Sequence, residues 1–211
     1  ALRTGQITIA SMPSFASNLL PAALKQFKTQ HPEVKVALHD VIAEEVVTLV
    51  RTGQAEIGVS FDPGEHDDLL FTPLFNDHFM AVLPKGHPLA ENDKIELMQL
   101  MPYDLITLQA PSQVRQLISD MMAREDLAFN PALETHHLVT IGRMVANDLG
   151  VSIVPALCEQ QMSEVGAICK PLGRAVLSRH VGIITRRRYP LSAAAQAMET
   201  VLIDSYLQKT G

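Results

Sequence analysis

The sequence predicts an α/β protein built from two similar units. Three observations carry that prediction. A strand, a hydroxyl-rich turn and a helix occur twice, strands and helices alternate between and after them, and one extended stretch is too long for an ordinary strand.

The first copy is Gln6-Ile7-Thr8-Ile9-Ala10, then Ser11-Met12-Pro13-Ser14, then an apolar helix from about Leu19. Leu20, Leu24 and Phe27 recur there at helical spacing, and His31-Pro32 stops the helix. Residues 34–39 alternate as a strand. A helix over about 43–51 follows, with Val46, Val47 and Val50 on one side and Gly53 at the left-handed position past its end. Residues 56–61 form a short buried strand that Asp62-Pro63-Gly64-Glu65 breaks. Strand, helix, strand, helix, strand implies right-handed crossovers and a mostly parallel sheet.

The stretch 69–83, ending at Pro84-Lys85-Gly86-His87-Pro88, is expected to leave the first sheet and enter a second. The second copy is Tyr103-Asp104-Leu105-Ile106-Thr107-Leu108, then Gln109-Ala110-Pro111-Ser112, then a helix holding Val114, Leu117, Ile118 and Met121. A short strand near Leu133-Glu134-Thr135, a helix over about 140–147 and a strand at Val151-Ser152-Ile153-Val154 come next. A last extended stretch, 176–185, is expected to return to the first unit. The closing helix, about 192–207, carries Ala195, Met198, Leu202 and Tyr206 at helical intervals. Two crossings between two α/β units make a hinged, clamshell-like architecture.

A strand that ends at a helix N-terminus leaves unpaired N–H groups and a positive dipole end facing outward. Small hydroxyl side chains there admit an anionic or polar ligand. Composition sets the outer limits. A chain of 211 residues with 47% hydrophobic content can bury a sizeable core. Its net charge of −6 is a poor match for nucleic-acid phosphate. No apolar run approaches the roughly 20 residues that cross a bilayer, and the opening Ala1-Leu2-Arg3-Thr4-Gly5 does not resemble a signal peptide. Two cysteines, Cys158 and Cys169, make no disulfide framework and favour a reducing, cytoplasmic setting. Starting at Ala1 and entering a strand within a few residues, the chain reads as a fragment or a processed form.

Four motifs in register resemble a known family. Gly5-Gln6-Ile7-Thr8-Ile9 with Leu19-Leu20-Pro21, Phe27 and His31-Pro32-Glu33-Val34 is similar to the opening of the effector-binding domain of LysR-type transcriptional regulators. Gly53-Gln54-Ala55-Glu56-Ile57-Gly58-Val59 resembles that family's turn into its third strand. Val82-Leu83-Pro84-Lys85-Gly86-His87-Pro88-Leu89-Ala90 resembles its most specific signature. Val145-Ala146-Asn147-Asp148-Leu149-Gly150-Val151-Ser152-Ile153-Val154-Pro155 resembles its late helix-to-strand motif, with Asn147-Asp148 where small residues are commoner.

The resemblance implies the type 2 periplasmic-binding-protein fold: two Rossmann-like lobes joined by two crossing strands. Lobe I is expected to hold residues 1–77 and 177–211, and lobe II residues 78–176. An N-terminal winged helix-turn-helix absent from this chain would hold the DNA contact. A small effector would bind in the interlobe cleft. The helices around 20–24 and 114–121 would pair in a homodimer, and the full-length protein would form a tetramer.

By the same resemblance, Ser11 and Ser14 hold an effector carboxylate, with plain N-capping as the alternative. Ile42 and Ala43 form a corner where many relatives place a hydroxyl, and Ala43 departs from that pattern. Ser60 and Phe61 end a strand and face the cleft, though Phe61 also suits a core position. Some relatives have a cation near Phe61; this chain shows none there, so an apolar effector group is expected. Met12, Ile42 and Phe61 supply apolar walls. From the second lobe, Thr107 and Gln109 supply directed hydrogen bonds. Thr140 caps the next helix or points inward. The mixture suits a compact carboxylate better than a sugar.

Other patterns carry less. His136 and His137 are adjacent, so their side chains diverge and share no metal. Arg186-Arg187-Arg188 reads as a solvated basic run, and the cysteines as small apolar residues with redox sensing as the sharper alternative. Without a Gly-rich phosphate loop, nucleophile elbow or paired catalytic carboxylates, no cofactor and no enzyme activity are expected. A transporter's periplasmic solute-binding protein, and an enzyme on the same fold, remain the competing classes.

If Ser14 and Gln109 grip an effector from opposite lobes, each mutation to Ala removes one hydrogen bond to a charged group, which is worth roughly 1.5–3 kcal/mol. Ser14→Ala and Gln109→Ala should each weaken binding about 10- to 150-fold in calorimetry. Unchanged affinity in both would place the site elsewhere.

Overall fold

Residues 5–173 and 178–207 are described by the structure, a computed structural model. The chain opens on β1 (Gly5–Ser11), whose Ile7 and Ile9 are buried. Pro13 then takes the first position of α1 (Pro13–Asn18), where its fixed φ suits a helix and its missing N–H is no loss. Only Leu19 separates it from α2 (Leu20–Gln30). Residues 13–18, a turn and its exit in the sequence reading, are therefore helical. α2 buries Leu20, Ala23 and Phe27 and stops at His31, ahead of Pro32. β2 (Val34–Asp40), α3 (Ala43–Arg51) and β3 (Ile57–Phe61) fall where the spacing predicts, and Gly53 takes the left-handed position with φ +77°.

The long extended stretch is two strands. β4 (Leu69–Asp77) and β5 (Phe79–Leu83) are separated by His78 alone. α4 (Leu97–Leu100), β6 (Leu105–Leu108) and α5 (Gln113–Arg124) follow, and the Ser112 hydroxyl accepts from the Arg115 N–H at 3.2 Å to cap α5. Then come β7 (Leu133–Thr135), α6 (Leu138–Ala146), β8 (Val151–Pro155), α7 (Glu159–Glu164) and β9 (Ile168–Pro171). α6 begins before the predicted start, with His137 at its N-cap position, so Thr140 lies inside the first turn and caps nothing. α4, α7 and β9 were not predicted; at 4, 6 and 4 residues they are too short to show a period.

The chain returns through β10 (Arg179–Arg186) and ends in α8 (Ala193–Tyr206). Val176, where that return was expected to start, lies outside the described residues. The Ser192 hydroxyl caps α8 by accepting from the Ala195 N–H at 3.2 Å. Glu56 in turn accepts from both the N–H and the hydroxyl of Ser192, each at 3.1 Å.

Two compact units result, one of residues up to Asn76 with those from Arg179 on, the other Asp77–Ser178. The sheet of the first runs β2-β1-β3-β10-β4, and that of the second β7-β6-β8-β5-β9. Each has three parallel strands, β2-β1-β3 or β7-β6-β8, and then a strand running the other way: β10 is antiparallel to β3, and β5 is antiparallel to β8 and β9. The sheets are thus mixed rather than mostly parallel. Entering the second unit and re-entering the first on a strand accounts for the reversal, because that strand joins without a crossover helix.

In the first unit, α3 covers the sheet face that carries Ala10, Gly58 and Ile184. The opposite face, with Ile7, Ile9, Ile57 and Val59, packs under α8 and α2. Phe15 of α1 meets Tyr206 edge-on at 5.5 Å between ring centres, and the Tyr206 hydroxyl donates to the Leu19 carbonyl. In the second unit, α5 buries Leu117, Ile118, Met121 and Met122 against Phe79, Ala81, Leu105 and Ile153, while α6 buries Ile141 and Val145 with Val82, Ile106 and Val154.

Helix α3 sits so close to β3 that a Cβ on Gly58 would lie 2.7 Å from Val50 Cγ2 and 2.8 Å from Val46 Cγ1. Overpacking of this kind costs about 1–3 kcal/mol. Gly58→Ala should therefore lower the urea midpoint with an unchanged slope; an unaltered midpoint would mean that α3 shifts freely.

Candidate functional site

Parallel strands present their free groups at their carboxyl ends, which is where α/β sheets hold ligands. In the first unit β1 and β3 end together, with Ser11 paired to Val59. The Met12 N–H donates to the Val59 carbonyl at 3.0 Å, and the Val41 N–H donates to that of Ser11 at 3.1 Å. Segments 11–14, 41–43 and 59–61 therefore meet at one end of this sheet. Ser11 is buried and its hydroxyl donates to the Met12 carbonyl at 3.1 Å. Met12, also buried, holds the N-cap position of α1, so neither Ser11 nor Ser14 caps that helix and the plain capping alternative falls. Ser14 is the buried second residue of α1. Ile42 and Ala43 head α3, with Ala43 buried and Ile42 exposed. Phe61 is buried. Ser60 is 1% exposed and its hydroxyl has no hydrogen-bond partner.

The second unit repeats the arrangement with different chemistry. Thr107, also 1% exposed, lies next to last in β6, and its hydroxyl has no partner. Gln109 follows the strand, half-buried, and its N–H donates to the Thr135 carbonyl at 2.8 Å. Thr140 is half-buried in the first turn of α6, the helix that follows β7. Thr107, Gln109 and Thr140 thus gather where β6 and β7 end. Arg115, passed over in the sequence, holds this end together. Its Nη1 donates to the Leu108 carbonyl at 2.7 Å and to the Glu134 carboxylate, and its guanidinium lies 5.1 Å from the centre of the Phe129 ring. Nothing in the sequence marks it out, since a single Arg near a helix start is commonplace.

Two more charged side chains lie where the chain leaves one unit for the other. Asp77, at the end of β4, is 5% exposed. Its Oδ1 accepts from the N–H groups of His78 at 3.1 Å and Leu157 at 3.3 Å, and its Oδ2 has no partner. Burial pushes its carboxyl up to about 6, against those backbone bonds and the nearby His78, which pull it down. Arg179 opens β10, and its Nη2 donates to the Asp62 carbonyl at 3.3 Å. The expectation that no cation stands near Phe61 is thereby corrected. Arg179 lies 117 residues beyond Asp62, and only the β3–β10 pairing brings it there.

The other candidates stay apart from this chemistry. Neither Cys158 nor Cys169 is in a disulfide; burial pushes both thiols up, Cys169 to about 12, so they stay protonated at neutral pH. Among the described residues no three His, Cys, Asp or Glu side chains gather as a metal site, and no helix is long and apolar enough to cross a membrane.

Residues 1–206 match the family model described as the LysR substrate binding domain. The chain belongs to that family. It is 28% identical over 204 residues to the uncharacterized HTH-type transcriptional regulator YbhD of Escherichia coli, covering 97% of this chain and 64% of that protein. It therefore spans somewhat under two thirds of that regulator's length. Among solved structures, the effector-binding domain of QuiR in complex with shikimate superposes with a TM-score of 0.83 at 17% identity, covering 95% of this chain and 96% of that one. The Synechocystis CcmR regulatory domain in complex with 2-PG gives a TM-score of 0.85 at 17% identity, covering 95% and 97%. Those likenesses speak for the two-lobed α/β fold. The relatives of this LysR substrate-binding domain are regulators, and the transporter alternative finds no support among them.

Asp77 gives the domain a pH signature. Its folded carboxyl, at about 6, holds a proton more tightly than the ordinary one at 3.8. The ionised form is therefore penalised by about 3 kcal/mol above pH 6, a penalty that fades as pH falls towards 4. Asp77→Asn should be more stable than the parent at pH 7.5, with the gap closing between pH 6 and 4. Urea unfolding across that range checks it; a gap independent of pH would mean that Asp77 is solvated.

Proposed function

We propose that this domain senses a small anionic effector for a bacterial LysR-type regulator, and that the effector is held where the strands of the two lobes end. The observation that carries the reading is the pair of partnerless buried hydroxyls, Ser60 and Thr107, one in each unit and each next to last in its strand. Leaving a buried hydroxyl unpaired costs about 1–3 kcal/mol, so a chain keeps one where something outside the chain bonds to it. Met12, Ile42 and Phe61 give this site apolar walls, and Ser14, Gln109 and Thr140 add further polar groups at the same strand ends. That composition suits a compact carboxylate with a hydrocarbon or aromatic body. The similar domains seen with shikimate and 2-PG support a small-molecule effector.

On this reading effector binding favours one conformational state of the domain, to the extent of its differential affinity for the two states. The output is transcription control through a winged helix-turn-helix outside this chain, in the cytoplasm and without catalysis. The homodimer pairs α2, around residues 20–24, with α5, around 114–121, and the full-length protein assembles as a tetramer.

Thr107→Val and Ser60→Ala separate binding from folding. Each removes an unpaired buried hydroxyl, so the melting temperature of the free domain should stay level or rise by a few degrees. Affinity for a carboxylate effector, found by thermal-shift screening that includes shikimate and 2-PG, should fall about 10-fold or more. A large loss of stability with unchanged affinity would make these hydroxyls structural.

A further inference from the structure

We propose that Arg179 is the cationic anchor of the effector, binding its carboxylate or phosphate oxygens beyond the end of β3. The inference rests on the reading above, in which the effector sits at that strand end. Arg179 is half-buried, its Nε is fully shielded, and that Nε has no acceptor. Among the described residues the ion pairs are Arg51 with Asp68 and Arg115 with Glu134; Arg179 has none. Asp62, whose backbone carbonyl Arg179 meets, turns its carboxylate onto the Gly64 N–H at 2.9 Å. One bond at 3.3 Å leaves most of the five guanidinium donors unused.

Taking a cation partly out of water without an opposite charge is costly, and arginine's planar fork matches the oxygens of a carboxylate or phosphate. The sheet register says where that fork stands. Val181 pairs with Phe61, and Asp62 donates its N–H to the His180 carbonyl at 2.9 Å. Side chains alternate along a strand, so Arg179 and Phe61 share one face and Ser60 belongs to the other. The end of β3 therefore carries a guanidinium beside an aromatic ring on one side and an unpaired hydroxyl on the other. A ligand fitting it has an anionic head and an apolar body. On a chain of net charge −6, a cation with no carboxylate partner gives an anion a local target.

Calorimetric titration with shikimate, 2-PG and benzoate tests this, with methyl shikimate and methyl benzoate as uncharged counterparts. The wild-type domain should prefer an acid to its ester. Arg179→Gln should weaken the acid or 2-PG about 10- to 150-fold and leave the ester unchanged, so that the preference collapses. Arg179→Lys, which keeps the charge but not the fork, should fall between them, and it serves in place of the Gln variant should that one melt early. Stronger loss with 2-PG than with the acids would mark a phosphate head, and the reverse a carboxylate. Wild-type affinity in Arg179→Gln, with loss in Ser60→Ala, would remove Arg179 and leave the site in place. No loss in either would overturn both. A wild-type domain that binds none of the three anions, or binds acid and ester alike, would overturn the anchor.

Discussion

The insertion of β10 between β3 and β4 is the pairing on which the first unit depends. Without it, β3 and β4 would be two open edges, each a row of unpaired N–H and C=O groups. Val181, Ile183 and Ile184 are buried, with Ile184 on the α3 face beside Gly58. The fit is close enough that a Cβ on Gly182 would stand 2.3 Å from the Thr72 carbonyl. The strand that fills this gap arrives only after the chain has passed through the second unit. Residues 1–76 thus lack their central antiparallel strand and α8 until then, and loop closure over about a hundred residues must come first. The same pairing sets Arg179 against Asp62, so the step that completes the sheet also completes the charge at its end.

Buried polar groups in this domain fall into two kinds, and the difference separates folding from function. Ser152 is fully buried, and its hydroxyl donates to the Ile106 carbonyl at 2.7 Å, tying β8 to β6. Ser11, also buried, donates to the Met12 carbonyl. These hydroxyls are satisfied by the fold. Ser60, Thr107 and the Nε of Arg179 are not, and all three lie at strand ends; His87 Nε2 and Gln161 Oε1 are unpaired as well and lie away from those ends. Asp77 has one satisfied and one unsatisfied oxygen, and its carboxyl, raised to about 6 by burial, takes up its proton below neutral pH.

Sequence pattern reached what local physics determines. The apolar spacing of Val46 and Val50 and the position of Gly53 gave α3 to the residue, and the two-unit alternation gave the fold class. It went astray where two local signals compete. Pro13 looked like a turn residue but serves as the first residue of a helix, and Thr140 looked like a cap two residues inside one. The short α4, α7 and β9 carry too few residues for any period. At the site, Ser60 and Thr107 were legible as hydroxyls ending strands, but their lack of partners was not. Arg179 was invisible as a neighbour of Phe61, because a register formed across more than a hundred residues leaves no mark in either segment.

The repeated strand–turn–helix that first suggested two units is real in topology but unequal in chemistry. β6 holds the place in its sheet that β1 holds in the other, and β8 the place of β3. In the second unit, Ser112 caps α5; in the first, Met12 stands at the N-cap position, and Ser14 is freed from that duty. The partnerless hydroxyls do not correspond either. Thr107 belongs to β6, the counterpart of β1, whereas Ser60 belongs to β3, the counterpart of β8. A symmetric scaffold therefore presents two different sets of strand ends: the Arg115 guanidinium is paired with Glu134 in the second, whereas Arg179 has no carboxylate partner in the first.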